Sequence, residues 1–392
     1  MDTVTAPVAT QKISLRIAVG ALFFLAGLSF ASWASRIPNI QQTMHLSYAA
    51  WGAVLFALPA GLMCSLPFSG WVITKIGSKK LALAAQFMYS LILPGIGLAQ
   101  TPFQLVICLV CFGFSGNAAN IAVNTQAIAA EKLYGKPIMA SFHGLWSVGG
   151  FAGAGVGILM IANNINPFHH FIVISAAFII GLILTAKYLH DDTGPSPISD
   201  GASLTLLQKL KLATPLIPLG VIALCSMICE GTMFDWSGIY FKKVVAAPAP
   251  LQGLGFTSFM LTMFLGRFIA DGFAHRFGLK RTLQVSGLLT GSGLLIAVLF
   301  PYFYTALAGF LLVGAGVCSV VPMVYSATGK SKTMSTGVAL SVVSTIGFIG
   351  FLVGPPLIGF IAGLATLRAS FALIAVMGIS IFIVSTKTNL DS

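Results

Sequence analysis

Fifty consecutive residues, from Leu81 to Ala130, contain no Asp, Glu, Lys or Arg. A helix needs about 20 mostly apolar residues to cross roughly 30 Å of hydrocarbon. This one stretch is therefore long enough for two membrane-spanning helices, with Gln100-Thr101-Pro102 as the turn between them. Pro137 to Ala186 repeats the arrangement and breaks at Asn163 to Pro167. Counted in the same way, Ile17 to Ser35 is span 1, and Ile37 to Thr74 holds span 2 after a loop at Pro38 and Asn39. Later in the chain, Leu212 to Cys229 begins a span and Val244 to Gly266 contains another. Thr282 to Gly329 splits at Phe300-Pro301, and Thr333 to Leu367 and Ala369 to Thr386 bring the total to twelve. Charged residues are 8% of the 392 positions, against about 25% in a soluble domain, which excludes an ordinary water-facing surface. An all-α membrane protein of twelve transmembrane helices is expected.

The 21 Lys and Arg outnumber the 9 Asp and Glu, an excess that would point to nucleic acid in a soluble protein. Here the basic residues sit in short clusters between apolar runs and read as topology signals, so no nucleic-acid partner is expected. With the gaps numbered alternately, one side of the membrane receives only Arg36, Lys242, Lys243 and Arg368, and nearly all the others fall on the opposite side. By the positive-inside rule the rich side is cytoplasmic and both termini lie there. The polar stretch Lys187 to Lys211, with His190-Asp191-Asp192 and Gly194-Pro195-Ser196-Pro197, falls almost midway. It reads as a cytoplasmic linker (187–211) between an N-terminal six-helix bundle (1–186) and a C-terminal one (212–392).

Cys64, Cys108, Cys111, Cys225, Cys229 and Cys318 all lie in apolar stretches and are expected to be small buried hydrophobes. Cys108 and Cys111 have C-x-x-C spacing, but inside an apolar helix that spacing gives no redox or metal site. No zinc motif, P-loop or G-x-S-x-G elbow occurs, so no metal or cofactor is expected. No nucleophile and base recur at recognisable spacing, so an enzyme is not expected either. Arg16, the apolar run after it and Ser32-Trp33-Ala34 mimic a secretory signal, but removing them would leave a later helix without its partner.

The chain repeats itself. Gly150-Phe151, Gly153, Val156 and Gly157 recur as Gly347-Phe348, Gly350, Val353 and Gly354, 197 residues on. Thr74-Lys75-Ile76-Gly77-Ser78-Lys79-Lys80 matches His275-Arg276-Phe277-Gly278-Leu279-Lys280-Arg281, and Trp33 aligns with Trp236. Two homologous six-helix halves follow.

In these features the sequence resembles the major facilitator superfamily over its whole length. That family's loop between spans 2 and 3 runs Gly, three residues, Asp-Arg, one residue, Gly-Arg-Lys. This chain has Gly70, Thr74-Lys75, Gly77 and Lys79-Lys80, with Thr74 in place of the acid and His275 there in the second copy. Ala31-Ser32-Trp33-Ala34-Ser35-Arg36, His143-Gly144, Glu230-Gly231, Asp235-Trp236 and Phe351-Leu352-Val353-Gly354-Pro355-Pro356 look like the bacterial YbjJ-type inner-membrane proteins. The resemblance implies two pseudo-symmetric bundles in the inner membrane that rock about a midplane cavity lined by spans 1, 4, 7 and 10. It also suits glycine-rich spans 5 and 11 to surfaces that slide.

Glu230 and Asp235 are the only acids far from a cytoplasmic helix end. An acid near the bilayer centre costs about 2.5–3.5 kcal/mol on insertion scales. Glu230 lies roughly 20 Å into span 7 at 1.5 Å per residue and is the candidate proton-coupling residue; a solute contact or a packing role are the alternatives. Arg36, at the end of span 1, is placed by the Trp33–Trp236 alignment opposite Asp235, as a gate pair or as ordinary helix-end charges. Arg267 and Asp271 form an i, i+4 pair at the inner end of span 8, structural or gating. Asn117, Asn120 and Asn124 share one face of span 4 and either contact a polar solute or tie helices together. His143 and Trp146 on span 5 offer a ring and an indole suited to sugars or heteroaromatic solutes, or pack in the bundle. Pro322 near Tyr325, and Pro355-Pro356, are candidate bends.

The leading expectation is a monomeric secondary transporter that takes up a small polar organic solute with protons, its only partners being solute, protons and the lipid bilayer. Inward direction follows from span 5, which reads Gly153-Ala154-Gly155 where the family's exporters have Gly-Pro. A proton-driven drug or metabolite exporter is the alternative. A nontransporting receptor or lipid-handling protein on the same fold is a third reading, disfavoured by the lack of a sizeable extramembrane domain.

Overall fold

A computed structural model describes residues 8–135, 138–191, 214–329 and 336–388. Among them, twelve helices are long and apolar enough to cross a membrane. Spans 1 to 6 are Lys12–Met44, Tyr48–Ile76, Ser78–Leu98, Pro102–Tyr134, Ser141–Ala162 and Pro167–Ala186. Spans 7 to 12 are Thr214–Lys243, Ala249–Ala270, Leu279–Leu299, Phe303–Thr328, Val342–Leu364 and Leu367–Lys387. The linker expected at 187–211 is described only as far as Asp191; its remainder, and Lys330 and Lys332, lie outside the described residues.

Local chemistry fixes several helix ends. Thr101 and Gln104 form a reciprocal capping box that starts span 4, with Pro102 in the first turn. Asn166 caps span 6 ahead of Pro167, and Thr366 caps span 12. Span 1 departs from expectation. Its helix runs through Pro38 to Met44 without a loop, because membrane helices tolerate proline where neighbouring groups satisfy the freed carbonyl. Arg36 is thus inside span 1, not at its end. The helix of span 8 likewise continues to Phe277, so Arg267 is interior as well.

Two spans break. The helix of span 2 stops at Leu55 and resumes at Ala57, and that of span 10 stops at Val317 and resumes at Val320. Pro59 and Pro322 follow, and each proline ring obstructs the carbonyl four residues earlier, on Leu55 and Cys318. Pro355 and Pro356 lie inside a continuous helix.

The chain forms two compact units, Met1–Met44 with Ala57–Pro197, and His45–Phe56 with Ile198–Ser392. In the first, span 1 packs on spans 4, 5 and 6, the second part of span 2 on span 4, and span 3 on spans 4 and 6. In the second, span 7 packs on spans 11 and 12, span 8 on span 10, and span 9 on spans 10 and 12. Nearly every pairing in one unit recurs in the other six spans later, the pattern of two pseudo-symmetric six-helix bundles. Backbone geometry repeats too. Gly77 and Gly278 hold φ/ψ of 82°/163° and 83°/159°, a conformation essentially reserved for glycine.

Glycines close the helix crossings within each bundle. A Cβ at Gly149 would lie 2.0 Å from the carbonyl oxygen of Phe24, one at Gly153 2.5 Å from that of Leu28, and one at Gly350 2.6 Å from that of Leu224. Gly149 and Gly153 therefore seat span 5 on span 1, and Gly350 seats span 11 on span 7, each within its own unit. The first part of span 2, Tyr48–Leu55, packs on span 11. A Cβ at Gly52 would lie 2.7 Å from the Pro355 carbonyl oxygen, and one at Gly359 2.4 Å from that of Tyr48.

Cys225, Cys229 and Cys318 are buried, whereas Cys64 and Cys111 are exposed and Cys108 is half-buried. That corrects the expectation for these three. An apolar stretch guarantees an apolar neighbourhood, but lipid supplies that as well as protein does.

Candidate functional site

The second unit brings Glu230 of span 7 and Arg267 of span 8 together. Arg267 Nη2 lies 3.7 Å from Glu230 Oε1. Glu230 is only 8% exposed and sits thirteen residues past Ile217, where its helix begins. The sequence paired Arg267 with Asp271 and left Glu230 isolated; the structure gives Glu230 a cation from the neighbouring helix. The side chain of Asp271 lies outside the described residues. Tyr325 of span 10 lies within electrostatic reach of Glu230. Cys318 stands in the field of both Arg267 and Glu230. Nearby, the hydroxyls of Ser286 and Ser319 meet at 3.0 Å.

Asp235 is half-buried, and no described cation of its unit pairs with it. Arg36, in the first unit, is 2% exposed. Its Nε donates to His170 Nδ1 at 3.1 Å and its Nη2 to the Ile165 carbonyl at 2.7 Å. A guanidinium only donates, so His170 Nδ1 carries no proton and the imidazole is neutral. Arg36 has no carboxylate partner among the described residues of its unit, which leaves a buried positive charge held by neutral acceptors. Sequence reasoning passed over His170. The available signal was a histidine in the first turn of span 6, on an otherwise uncharged run.

The amide face of span 4 divides. Asn117 is buried and its Nδ2 donates to Ser65 Oγ at 2.6 Å and to the Leu62 carbonyl at 3.3 Å, both on span 2, so it ties two helices together. Asn120 is exposed, and Asn124 Nδ2 donates to its carbonyl and to its Oδ1 at 2.8 and 3.2 Å. On span 5, His143 is exposed with its ring edge-on to Phe23 at 5.2 Å. Trp146 is half-buried and tilted against Phe30 at 6.0 Å.

At the boundary of the linker, Gln126 makes a two-way amide clamp. It donates to the His190 carbonyl at 2.8 Å and to Ser78 Oγ at 2.6 Å, and accepts from the His190 amide at 2.8 Å. Lys79 of the signature loop pairs with Asp191 at 2.9 Å. Thr74, where the family pattern has an acid, donates to the Trp71 carbonyl of its own helix.

Twelve spanning helices in two repeated bundles, with an ion pair inside one of them, define a polytopic membrane transporter. Comparison with known proteins narrows the class. The profile of the Major Facilitator Superfamily matches residues 18–248 and 239–388, and the chain belongs to that superfamily. It is 31% identical to an uncharacterized MFS-type transporter of Yersinia pestis, over 95% of this chain and 94% of that protein. It is also 31% identical to an uncharacterized transporter of Sinorhizobium fredii, over 91% and 93%. Its fold is similar to a crystal structure of the nucleoside transporter NupG, with a TM-score of 0.76 at 15% identity over 95% of this chain and 99% of that one.

Proposed function

We propose that the chain is a secondary active transporter that carries a small polar organic solute inward across the bacterial inner membrane by alternating access, as a proton symporter. The observation that carries this reading is the Glu230–Arg267 pair. Ionisable groups inside spanning helices are costly and mark ion or substrate pathways by default. This pair has two natural states, since protonation of Glu230 cancels its attraction for Arg267.

Solute contacts are assigned to Asn120, Asn124, His143 and Trp146; Asn120 and His143 are exposed and Asn124 and Trp146 half-buried, whereas Asn117 is buried against span 2. Arg36 and Asp235, neither of which has an opposite charge as partner among the described residues of its own unit, are proposed to meet as a gate when the side poor in Lys and Arg closes. That side is taken as periplasmic and both termini as cytoplasmic, in keeping with the charge asymmetry and with the resemblance to YbjJ-type proteins.

The test is solute uptake into proteoliposomes. Glu230→Gln should abolish accumulation driven by a proton gradient and leave solute exchange at equilibrium measurable. Undiminished uphill uptake at matched expression removes Glu230 from coupling.

A further inference from the structure

We propose that the second unit carries a phospholipid site: a cleft among spans 8, 9 and 12 that takes an acyl chain of an anionic phospholipid and holds its phosphate on Arg281. The site shares no residue with the Glu230–Arg267 pair and does not depend on what the protein transports.

The cleft has a volume of about 450 Å³. The helix of span 8 contributes Phe273 and Phe277, with ring centroids 4.5 Å apart, and span 12 contributes Phe382. Span 9 contributes a single face, where Arg281, Gln284, Val285 and Leu288 fall at i, i+3, i+4 and i+7. Packing explains the opening. A Cβ at Gly287 would collide with the Phe382 backbone, so span 9 is seated tightly on span 12. Span 8 packs instead on span 10, which leaves a notch beside span 9. Phe277 and Leu288 are 40% and 48% exposed, and Ile269, one turn before Phe273, is exposed too. The notch therefore opens outward, on an apolar face that hydrocarbon covers as readily as protein does.

The order of chemistry along the cleft is that of a phospholipid. Arg281 is the third residue of span 9, at an end rich in Lys and Arg. Gln284 lies about 4.5 Å deeper and Leu288 about 10 Å deeper, at 1.5 Å per residue. A guanidinium grips a phosphate with two parallel donors. The ester carbonyls that follow the phosphate can accept from the Gln284 amide, which has no hydrogen-bond partner among the described residues. Beyond them an acyl chain meets only Leu288 and the phenylalanine rings.

Charge selects the headgroup. The Arg276 guanidinium sits 5.3 Å from the centroid of the Phe277 ring, and Lys280 adjoins Arg281. With Asp271 counted, residues 271–281 hold three cations and one acid, a net charge of +2. In the first unit the chain itself supplies an anion to this loop, since Lys79, the counterpart of Lys280, pairs with Asp191. A choline or ethanolamine lipid would bring a further cation to the patch. Phosphatidylglycerol brings only the phosphate, and basic pockets between helices bind such headgroups.

The test counts lipids bound to the purified full-length protein by native mass spectrometry, after addition of phosphatidylglycerol or phosphatidylcholine with the same acyl chains. Wild type should prefer phosphatidylglycerol. Arg281→Gln should cut its binding about fivefold and leave phosphatidylcholine unchanged. Leu288→Trp, which fills the cleft and keeps the charge, should weaken both. Lys132→Gln removes the same charge from the first unit and should change neither. Equal binding of the two lipids by wild type, or no effect of Arg281→Gln, overturns the proposal and leaves a cleft that holds hydrocarbon only. An equal loss in Lys132→Gln overturns it in favour of net charge, and full binding in Leu288→Trp places the lipid elsewhere. Displacement of phosphatidylglycerol by an equal concentration of inorganic phosphate would show an ion site instead. A several-fold rise in binding on truncation after Thr388 would give the cleft to the chain's own last residues.

Discussion

Adding one methyl group to Gly149 should separate two helices. A Cβ there lies 2.0 Å from the Phe24 carbonyl oxygen, where ordinary contact needs about 3.4 Å or more. Spans 1 and 5 must therefore part by something over 1 Å along that contact. Overpacking of this kind costs about 1–3 kcal/mol. In a unit of 150–250 residues each kcal/mol moves the melting temperature by about 2–4 °C, so Gly149→Ala should melt about 2–12 °C lower. The control lies on the same helix: a Cβ at Gly155 meets nothing within 4 Å, and Gly155→Ala should stay near wild type or gain slightly from helix propensity. Graded cases come from the second unit, where Gly350 has its carbonyl at 2.6 Å and Gly354 its nearest atom at 4.0 Å. Melting of purified protein followed by tryptophan fluorescence should rank Gly149→Ala lowest, then Gly350→Ala, with Gly354→Ala and Gly155→Ala close to wild type. Equal melting of Gly149→Ala and Gly155→Ala would refute the packing argument.

Other outcomes follow from the polar residues. Asn120→Cys should react with a water-soluble thiol reagent and be protected by solute, whereas Asn117→Leu should lower stability by leaving Ser65 and the Leu62 carbonyl without their donor; an inert cysteine at 120 in every condition would remove that face from the solute path. Asp235→Asn should bias the protein toward opening on the proposed periplasmic side, and Arg36→Asp with Asp235→Arg should restore part of the balance, read as interhelical distance distributions; three unchanged distributions would dismiss the gate. Gln126→Leu, which removes three hydrogen bonds worth about 0.5–1.5 kcal/mol each, should destabilise more than Asp191→Asn. The latter breaks a pair whose acid is 72% exposed and is worth about 0.2–1 kcal/mol; reversed ranking in thermal melts would show that the clamp is not what anchors this end of the linker.

The number of spans was legible in the sequence because a bilayer demands long uncharged runs, and the twofold repeat was legible because Gly77 and Gly278 must both be glycine. Helix ends were harder. Pro38 reads as a loop, yet the helix passes through it, and this hid Arg36 inside span 1. Register along a span also escaped the sequence. Pairing Trp33 with Trp236 offsets the halves by 203 residues, whereas the carbonyls that receive Gly153 and Gly350, on Leu28 and Leu224, are 196 apart. On that packing register Arg36 corresponds to Thr232, which leaves Asp235 three residues farther along, about 4.5 Å at 1.5 Å per residue. Of the candidate site, the acid at 230 was legible from its cost in a membrane. Its partner was not, because Arg267 has Asp271 at helical spacing, while the contact with Glu230 depends on how two helices cross.

The break of span 2 at Phe56 bears on how the chain is made. Residues His45–Phe56 belong to the second unit, and Gly52 rests against Pro355, 303 residues later in the sequence. At about 5–20 residues per second of synthesis, the glycine face of that short helix waits roughly 15 to 60 seconds for the span that covers it. During that interval an almost complete first bundle stands in the bilayer with one helix-packing surface unclaimed, available to an insertion chaperone or to a membrane protease. Variants that widen the face, such as Gly52→Leu, should therefore lower yield during biogenesis more steeply than they lower the melting point of whatever protein survives.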